Sequence, residues 1–224
     1  MKRENFSIIV PAFNEEQGIA EVIHRCKKVM RKGDEIIVVD DGSVDCTSEK
    51  AKSAGAKVVR HEKNKGKAFA LKTGFKAAAN EIVATIDADC TYPPEAFPEM
   101  LAELEGADLV VGTRFRRMWP RDLAWHRVAA NKLGALFASV LLARKVTDVT
   151  TGLRAFRKKI LKGMPEIRAE GLDFEAEFTA RAISNGFRYK EVKIVAEMRK
   201  GRSTLSFFRH LWLFFKAVLR GKFS

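Results

Sequence analysis

Short apolar runs that end in carboxylates constrain this chain more than any other feature. Ile82-Val-Ala-Thr-Ile86 is a run of five mostly β-branched residues, which reads as a buried strand, and it ends in Asp87-Ala-Asp89. Two acidic groups at a strand end cost free energy unless a cation or hydrogen bonds neutralise them. In open α/β sheets the carboxyl ends of the strands are where ligands sit. Oxygen ligands suit a hard divalent cation, Mg²⁺ or Mn²⁺, which keeps several waters and shares itself with substrate phosphates. The plain alternative is a turn with two solvated Asp residues.

Three further segments favour the ligand reading. Phe6-Ser-Ile-Ile-Val10 runs into Pro11, and a helix is expected to begin near Asn14 with Glu15 and Glu16 in its first turn. Glu35-Ile-Ile-Val-Val39 ends in Asp40 and Asp41 and turns at Gly42-Ser43, with Asp45 or Ser43 as candidate caps for a helix beginning near Thr47. Asn64-Lys-Gly-Lys-Ala68 is a small basic glycine turn opening a helix, where backbone N–H groups and lysines suit a diphosphate. Strands near 6–11, 35–40, 56–60, 81–87 and 107–113 alternate with helices near 15–31, 46–54, 66–79 and 94–105. That order predicts an α/β domain, a mostly parallel sheet with helices on both faces. Beyond residue 113 the pattern predicts a helix over 123–143, a strand over 149–156, a helix over 173–185, a strand over 188–196 and a terminal helix over 206–220. A chain of 224 residues without linker or repeat suits one domain.

In this order and spacing, Pro11-Ala-Phe-Asn-Glu-Glu16, Val38-Val-Asp-Asp-Gly-Ser-Val-Asp-Cys-Thr47, Asn64-Lys-Gly-Lys-Ala68 and Asp87-Ala-Asp89 resemble the family 2 inverting glycosyltransferases of the GT-A, Rossmann-like fold. Gly112-Thr-Arg114, Asp148–Phe156, Gly171-Leu-Asp-Phe-Glu175 and Arg199-Lys-Gly-Arg-Ser-Thr-Leu205 are similar to dolichyl-phosphate mannose synthases and related polyprenyl-phosphate glycosyltransferases. The resemblance implies a nucleotide-sugar donor, a polyprenyl-phosphate acceptor and a hexose such as mannose from GDP-mannose. It divides the domain into a donor half (1–113), an acceptor half (114–205) and a membrane-interface helix (206–224).

It also assigns candidate residues. Asp89, supported by Asp87, would hold Mg²⁺ or Mn²⁺ as a Lewis acid against the charge that grows on the leaving diphosphate. Lys67 and Lys65 would add positive charge there. Asp40 or Asp41 would accept hydrogen bonds from the base or ribose, and Pro11, Ala12, Asn14 and Glu15 would line the same pocket. An acceptor phosphate needs no general base, because its second pKa is about 6; it needs cations instead. Arg114, Arg127, Arg199 and Arg202 are the candidates, since arginine binds phosphate bidentately. The chain departs from the lipid-phosphate branch at Thr91, where many members carry Gln or His. Asp173 and Glu175 lie where hydroxyl-glycosylating relatives keep a base; the expectation here is that they orient the site or pair with an arginine. Two other readings stay open: transfer to a hydroxyl with Asp173 or Glu175 as base, and a non-catalytic basic membrane-binding protein on the same fold.

Charge is divided unevenly. Residues 1–111 carry 16 basic and 19 acidic residues, and residues 112–224 carry 25 and 9. A half so basic points to a polyanionic partner, nucleic acid or an anionic membrane, or to a solvated basic face. The apolar pattern favours the membrane. Leu133–Ala143 is uncharged but too short to span a bilayer. In the terminal helix Arg209, Lys216 and Arg220 form one stripe, with Phe207, Phe208, Leu211, Trp212, Phe214, Phe215, Val218 and Leu219 over most of the rest. That pattern fits an interfacial helix, with docking on the core as the alternative. No nucleic-acid motif is present. The expectation is a peripheral protein at the cytoplasmic face of a membrane, with a separate anchoring partner left open. Cys26, Cys46 and Cys90, scattered and odd in number, suit a reducing compartment without disulfides.

Overall fold

A computed structural model describes residues 4–114, 125–169, 171, 173–200 and 207–223, with backbone alone for 125–131 and 207–211. Its seven strands are β1 (Phe6–Ala12), β2 (Glu35–Asp40), β3 (Lys57–Arg60), β4 (Ile82–Thr85), β5 (Leu109–Arg114), β6 (Arg154–Arg157) and β7 (Tyr189–Ile194). They form one sheet in the order β3-β2-β1-β4-β6-β5-β7. The β-branched runs that predict strands are the buried centre of this sheet: every residue of β1 and β4 is buried.

All pairings are parallel except those of β6, which runs antiparallel to both β4 and β5. The sheet is therefore mixed, and the reversed strand has a consequence for the site. Arg154, at the start of β6, lies opposite Thr85 at the end of β4. The chain before β6, residues 148–153, is thus delivered to the edge where β1, β2 and β4 end. The predicted strand over 149–156 is shorter than expected because Asp148 holds a turn through Thr150 N–H (3.2 Å) and pairs with Arg114.

Helices cover both faces. On one side α1 (Ile19–Val29), α2 (Thr47–Ser53) and α4 (Phe97–Glu103, entered through a 3-10 turn at Pro94–Ala96) pack over Ile8, Val10, Ile36, Val38 and Ala84. On the other, α3 (Lys67–Ala77), α5 (Trp125–Leu142), α6 (Lys159–Gly163), α7 (Phe174–Ser184) and α8 (Phe207–Lys222) pack over Ile9, Ile37, Val83 and Phe156. The alternation of Ile8/Val10 with Ile9 on β1 is the period-2 signature of a strand with a core on each side.

Helix α1 begins at Ile19, not near Asn14. Asn14 adopts a positive φ of 55°, and its side-chain oxygen accepts from Val44 N–H while its own N–H donates to Ser43 Oγ. These bonds to a distant turn replace the first helical turn. Asp45, rather than Ser43, satisfies the start of α2, accepting from Thr47 N–H at 3.0 Å.

α8 is amphipathic and docks by one face. Phe214, Ala217 and Val218 are buried, Phe215 stacks edge-on against Phe137 of α5, and Gly221 lies so close to α7 that a Cβ there would stand 2.5 Å from Ala180 Cβ. Trp212, Leu219 and Phe223 face outward, beside Leu133, Leu136 and Val140 of α5. Of the basic stripe, Lys216 is exposed and the Arg209 side chain lies outside the described residues, while Arg220 turns inward to the buried carboxylates of Asp173 and Glu177. Among the described residues no helix is long and apolar enough to cross a membrane.

Candidate active site

The carboxyl ends of β1, β2 and β4 bring the expected acids to one edge. Asp87 and Asp89 follow β4, and two cations from distant elements meet them. Lys67, the first residue of α3, places Nζ 2.7 Å from Asp87 Oδ1 and 2.6 Å from Glu175 Oε1. Arg199, after β7, reaches Asp89 Oδ2 at 3.2 Å and Glu15 Oε1 at 2.7 Å. Lys200 N–H and Glu197 N–H donate to the carbonyls of Asp89 and Thr91, so the 197–200 segment lies along the acidic turn. Arg25 holds that segment further through Glu197 and Glu95.

The electrostatics show how much negative charge this edge concentrates. Burial and the neighbouring Asp87 charge push the Asp89 carboxyl up, against the Thr91 hydrogen bonds and Arg199. Burial raises Glu15 to about 7; Arg199 opposes the shift, while Asp89, Asp87 and Asp45 add to it. Lys67 is held above its ordinary value, because Asp87 and Glu175 outweigh the burial that would lower it. A divalent cation fits this donor set. Asp87 and Asp89 would supply two hard oxygen ligands, with substrate phosphates and water as the rest, as is usual for Mg²⁺. Among the described residues no group of three or more His, Cys, Asp or Glu forms a fuller cage. Thr91 contributes its backbone N–H to Asp89 Oδ1 at 3.0 Å.

The basic glycine turn is built by Asp41. Its carboxylate accepts from the N–H groups of Lys65 (3.0 Å) and Gly66 (2.7 Å) and from His61 Nδ1 (2.6 Å), whose Nε2 lies 2.9 Å from Thr73 Oγ1. Gly66, at φ 92°, turns the chain into α3 and so delivers Lys67. Asp40 is buried and bonded to Ser43 N–H and Ser48 Oγ; these bonds lower its pKa although burial alone would raise it. Both acids are therefore spent on internal bonds that shape the pocket. Asp40 and Asp41, expected to accept hydrogen bonds from the base or ribose, here accept from Ser43, Ser48, His61 and the 65–66 backbone. Pro11 and Ala12 are buried at the end of β1, where the Ala12 carbonyl accepts from Asp41 N–H, and Glu15 N–H donates to Thr47 Oγ1.

Arg114, at the end of β5, grips Asp148 through Nε (2.6 Å) and Nη2 (2.8 Å) and also reaches Thr150 Oγ1. The arginine expected to clamp phosphate is thus anchored through Nε and Nη2 by a buried carboxylate. Arg127 falls in the first turn of α5 with its side chain outside the described residues, and Arg202 lies outside them altogether. Asp173 pairs with Arg220 and also accepts from Gly171 N–H. Glu175, only 2% exposed, pairs with Lys67. Asp173 thus meets an arginine and Glu175 a lysine.

Sequence reading missed three contributors. Gly152 lies under Asp87, where a Cβ would stand 2.7 Å from its Cγ. The Tyr92 hydroxyl accepts from Gly152 N–H, and Thr85 Oγ1 donates to the Gly152 carbonyl. His61 braces Asp41. The glycine within Asp148-Val-Thr-Thr-Gly-Leu-Arg154 was the available signal for the first; nothing local marks His61 or Tyr92.

Comparison with known proteins agrees with this geometry. The profile of glycosyl transferase family 2 matches residues 7–164. The chain is 32% identical over 203 residues to a dolichyl-phosphate hexose transferase of Haloferax volcanii, covering 90% of this chain and 87% of that protein. It is 28% identical over 231 residues to a dolichol-phosphate mannosyltransferase of Pyrococcus furiosus, covering 94% of this chain and 63% of that protein. A crystal structure of glucosyl-3-phosphoglycerate synthase from Mycobacterium tuberculosis with Mn²⁺, uridine diphosphate and glucosyl-3-phosphoglycerate superposes with a TM-score of 0.76 at 25% identity, covering 97% of this chain and 78% of that one. A mixed sheet with an acidic pair at its carboxyl edge, a glycine turn delivering a lysine to that pair, and a profile spanning most of the chain agree on one conclusion: the chain belongs to glycosyl transferase family 2 and is a glycosyltransferase of the GT-A fold.

Proposed function

We propose that this protein transfers a hexose, mannose from GDP-mannose, to a polyprenyl phosphate with inversion at C1, working at the cytoplasmic face of a membrane. The observation that carries the choice of acceptor is the pairing of both candidate bases. Glu175 is buried against Lys67, and Asp173 is bound by Arg220 and Gly171 N–H. A hydroxyl acceptor needs a carboxylate free to take its proton, whereas a phosphate oxygen is already an anion and needs cations. The relatives named for dolichyl phosphate support the same acceptor class.

The roles follow from charge. As the C1–O bond of the donor breaks, negative charge grows on its diphosphate. Lys67 and the N–H groups opening α3 meet that charge, and the Asp41-braced turn keeps them in place. Asp87 and Asp89 would hold the divalent cation, which supplies Lewis-acid stabilisation when bound. Lys65 stands on the same turn as a second cation. Asn14 and Glu15 wall the donor side. Arg199, beside Asp89, is the nearest cation for the acceptor phosphate, with Arg127 and Arg202 as further candidates. Arg114 acts through Asp148, fixing the 148–153 segment under the site. The domain divides into a donor half over 1–113 and an acceptor half over 114–205, with the helix over 206–224 serving the membrane. The outward apolar residues of α5 and α8 would lie in the lipid headgroup region.

The test is a panel of labelled nucleotide sugars with Mg²⁺ or Mn²⁺, offered a short polyprenyl phosphate and the matching polyprenol. The expected product is the phosphate-linked sugar from GDP-mannose alone, abolished by chelator. Transfer to the polyprenol, or to no lipid, would overturn the acceptor assignment.

A further inference from the structure

We propose that Arg220 is a positioning residue, tying the terminal helix to the reacting edge through Asp173; this rests on the reading of Asp173 and Glu175 given above. Arg220 Nη2 lies 2.8 Å from Asp173 Oδ2, and Nη1 lies 3.6 Å from Glu177 Oε2. Asp173 immediately precedes α7, and its other oxygen accepts from Gly171 N–H at 3.3 Å. With both oxygens engaged, its side chain has one orientation, and the entry into α7 is fixed with it. Two residues on, Glu175 meets Lys67, and Lys67 meets Asp87. One ion pair therefore ties α8 to the first turn of α7, and two more, through Lys67, tie that turn to the acid that follows β4.

Two observations argue that Arg220 is more than glue for α8. The helix is already seated without it by Phe214, Ala217, Val218 and the close approach of Gly221 to Ala180. In addition, a cation at the start of α7 opposes that helix's dipole, which disfavours positive charge at an N-terminus. Such a placement does not help the helix; it is tolerated because Asp173 and Glu177 flank it. What it does achieve is a fixed first turn of α7, the turn that carries Glu175. Since α8 also bears Trp212, Leu219 and Phe223 outward, the same helix that would meet lipid sets the acceptor side of the site.

The experiment combines a double-mutant cycle with amide exchange. Arg220→Ala should lower kcat by up to about a hundredfold, the cost of a small misplacement near reacting groups, while the donor KM stays within about threefold. Arg220→Lys keeps the charge without the fork and should recover part of the loss. In an Asp173→Asn background, Arg220→Ala should cost little more, because residues acting as a unit are not additive. Amide exchange, read without any substrate, should quicken over 173–178 in Arg220→Ala and stay unchanged in β1 and α3. Additive losses, or an unchanged exchange rate over 173–178, would overturn the proposal. Exchange is independent of which acceptor is used, so absence of transfer to any polyprenyl phosphate would refute the function and leave the Arg220 result standing by itself.

Discussion

Replacing Arg114 with alanine separates a structural arginine from a phosphate-binding one. Arg114 Nε and Nη2 hold Asp148 at 2.6 and 2.8 Å, and the Asp148 side chain is 2% exposed against 19% for Arg114. Removing one partner of a buried pair costs about 3–5 kcal/mol, because the other charge is left desolvated. Asp148 would keep its bonds from Thr150 N–H, Thr150 Oγ1 and the backbone N–H of residue 114, which favours the lower end, about 3 kcal/mol. For a domain of this size each kcal/mol shifts Tm by about 2–4 °C, so Arg114→Ala should melt about 6–12 °C below wild type at pH 7. The sign with pH is fixed as well. Burial would raise the Asp148 pKa, but Arg114 and the hydrogen bonds hold it below its ordinary value. A depressed carboxyl contributes stability above the unfolded pKa of about 3.9 and loses it as pH falls through the folded value. The gap between wild type and mutant should therefore be full at neutral pH and close in acid. Circular-dichroism melts at pH 7 and at pH 3 measure it. Replacing both Arg114 and Asp148 with leucine should restore most of the lost stability, because apolar substitution of a buried pair is often neutral. If Arg114→Ala melts within about 2 °C of wild type at pH 7 yet fails in transfer, the strut is refuted and Arg114 is a ligand for the acceptor.

The other expectations concern the edge itself and the membrane. Asp89→Asn should abolish metal-dependent transfer, and Asp87→Asn should weaken nucleotide binding as well as turnover; turnover of Asp89→Asn in excess chelator would sink the metal assignment. Arg199 and a metal compete for Asp89, so Arg199→Ala should tighten Mn²⁺ binding to the protein alone by about two- to fivefold, the worth of a partly exposed ion pair, with weaker or equal binding by calorimetry as the contrary result. Gly152→Ala would drive a methyl into the Asp87 carboxylate and should weaken metal-dependent nucleotide binding while Tm moves little; unchanged binding would mean that the carboxylate has room to move. Deleting residues 206–224 should reduce binding to anionic vesicles, and what binds in the full chain should weaken in high salt without vanishing; full vesicle binding by the shortened chain would show that the outward face of α8 is not the contact.

The parts of this fold that are legible in the sequence are those set by local pattern. The runs Phe6–Val10, Ile36–Val39 and Ile82–Thr85 are strands because β-branched residues buried on both faces have few other ways to pack, and their acids mark the ligand edge for the same reason. The position of Lys67 at the start of a helix follows from the basic glycine turn that opens it. What was not legible depends on distant partners. Helix α1 starts late because Asn14 bonds to Ser43 and Val44, some thirty residues away. The antiparallel insertion of β6 joins it to residues about seventy positions back on β4 and about forty-five back on β5, which no local period encodes. Asp40 and Asp41 have the composition of ligand-binding acids, and only the fold reveals that Ser48, His61 and the 65–66 backbone reach them first.

The basic second half illustrates the same point for charge. Its excess of cations suggests a large polyanion, yet many of them are answered by acids of the first half. Arg157 pairs with Glu4, Arg188 and Lys159 with Asp108, Lys190 with Glu103, Lys200 with Glu21, and Arg199 with Glu15 and Asp89. Others answer acids within their own half, as Arg181 does for Glu177 and Arg220 for Asp173. Part of the asymmetry is thus an intramolecular complementarity between the two halves, while the whole chain keeps a net charge of +13. At a membrane surface the electrostatic share, about 1 kcal/mol per basic residue near an anionic leaflet, is screened by salt, and the apolar share is not. Trp212, Leu219, Phe223, Leu133, Leu136 and Val140 stand outward on adjoining helices, and salt does not remove what their burial contributes. Vesicle binding that weakens in high salt yet persists is therefore the expected outcome, and complete loss of binding in high salt would mean that the cations, not the helix faces, hold the protein at the membrane.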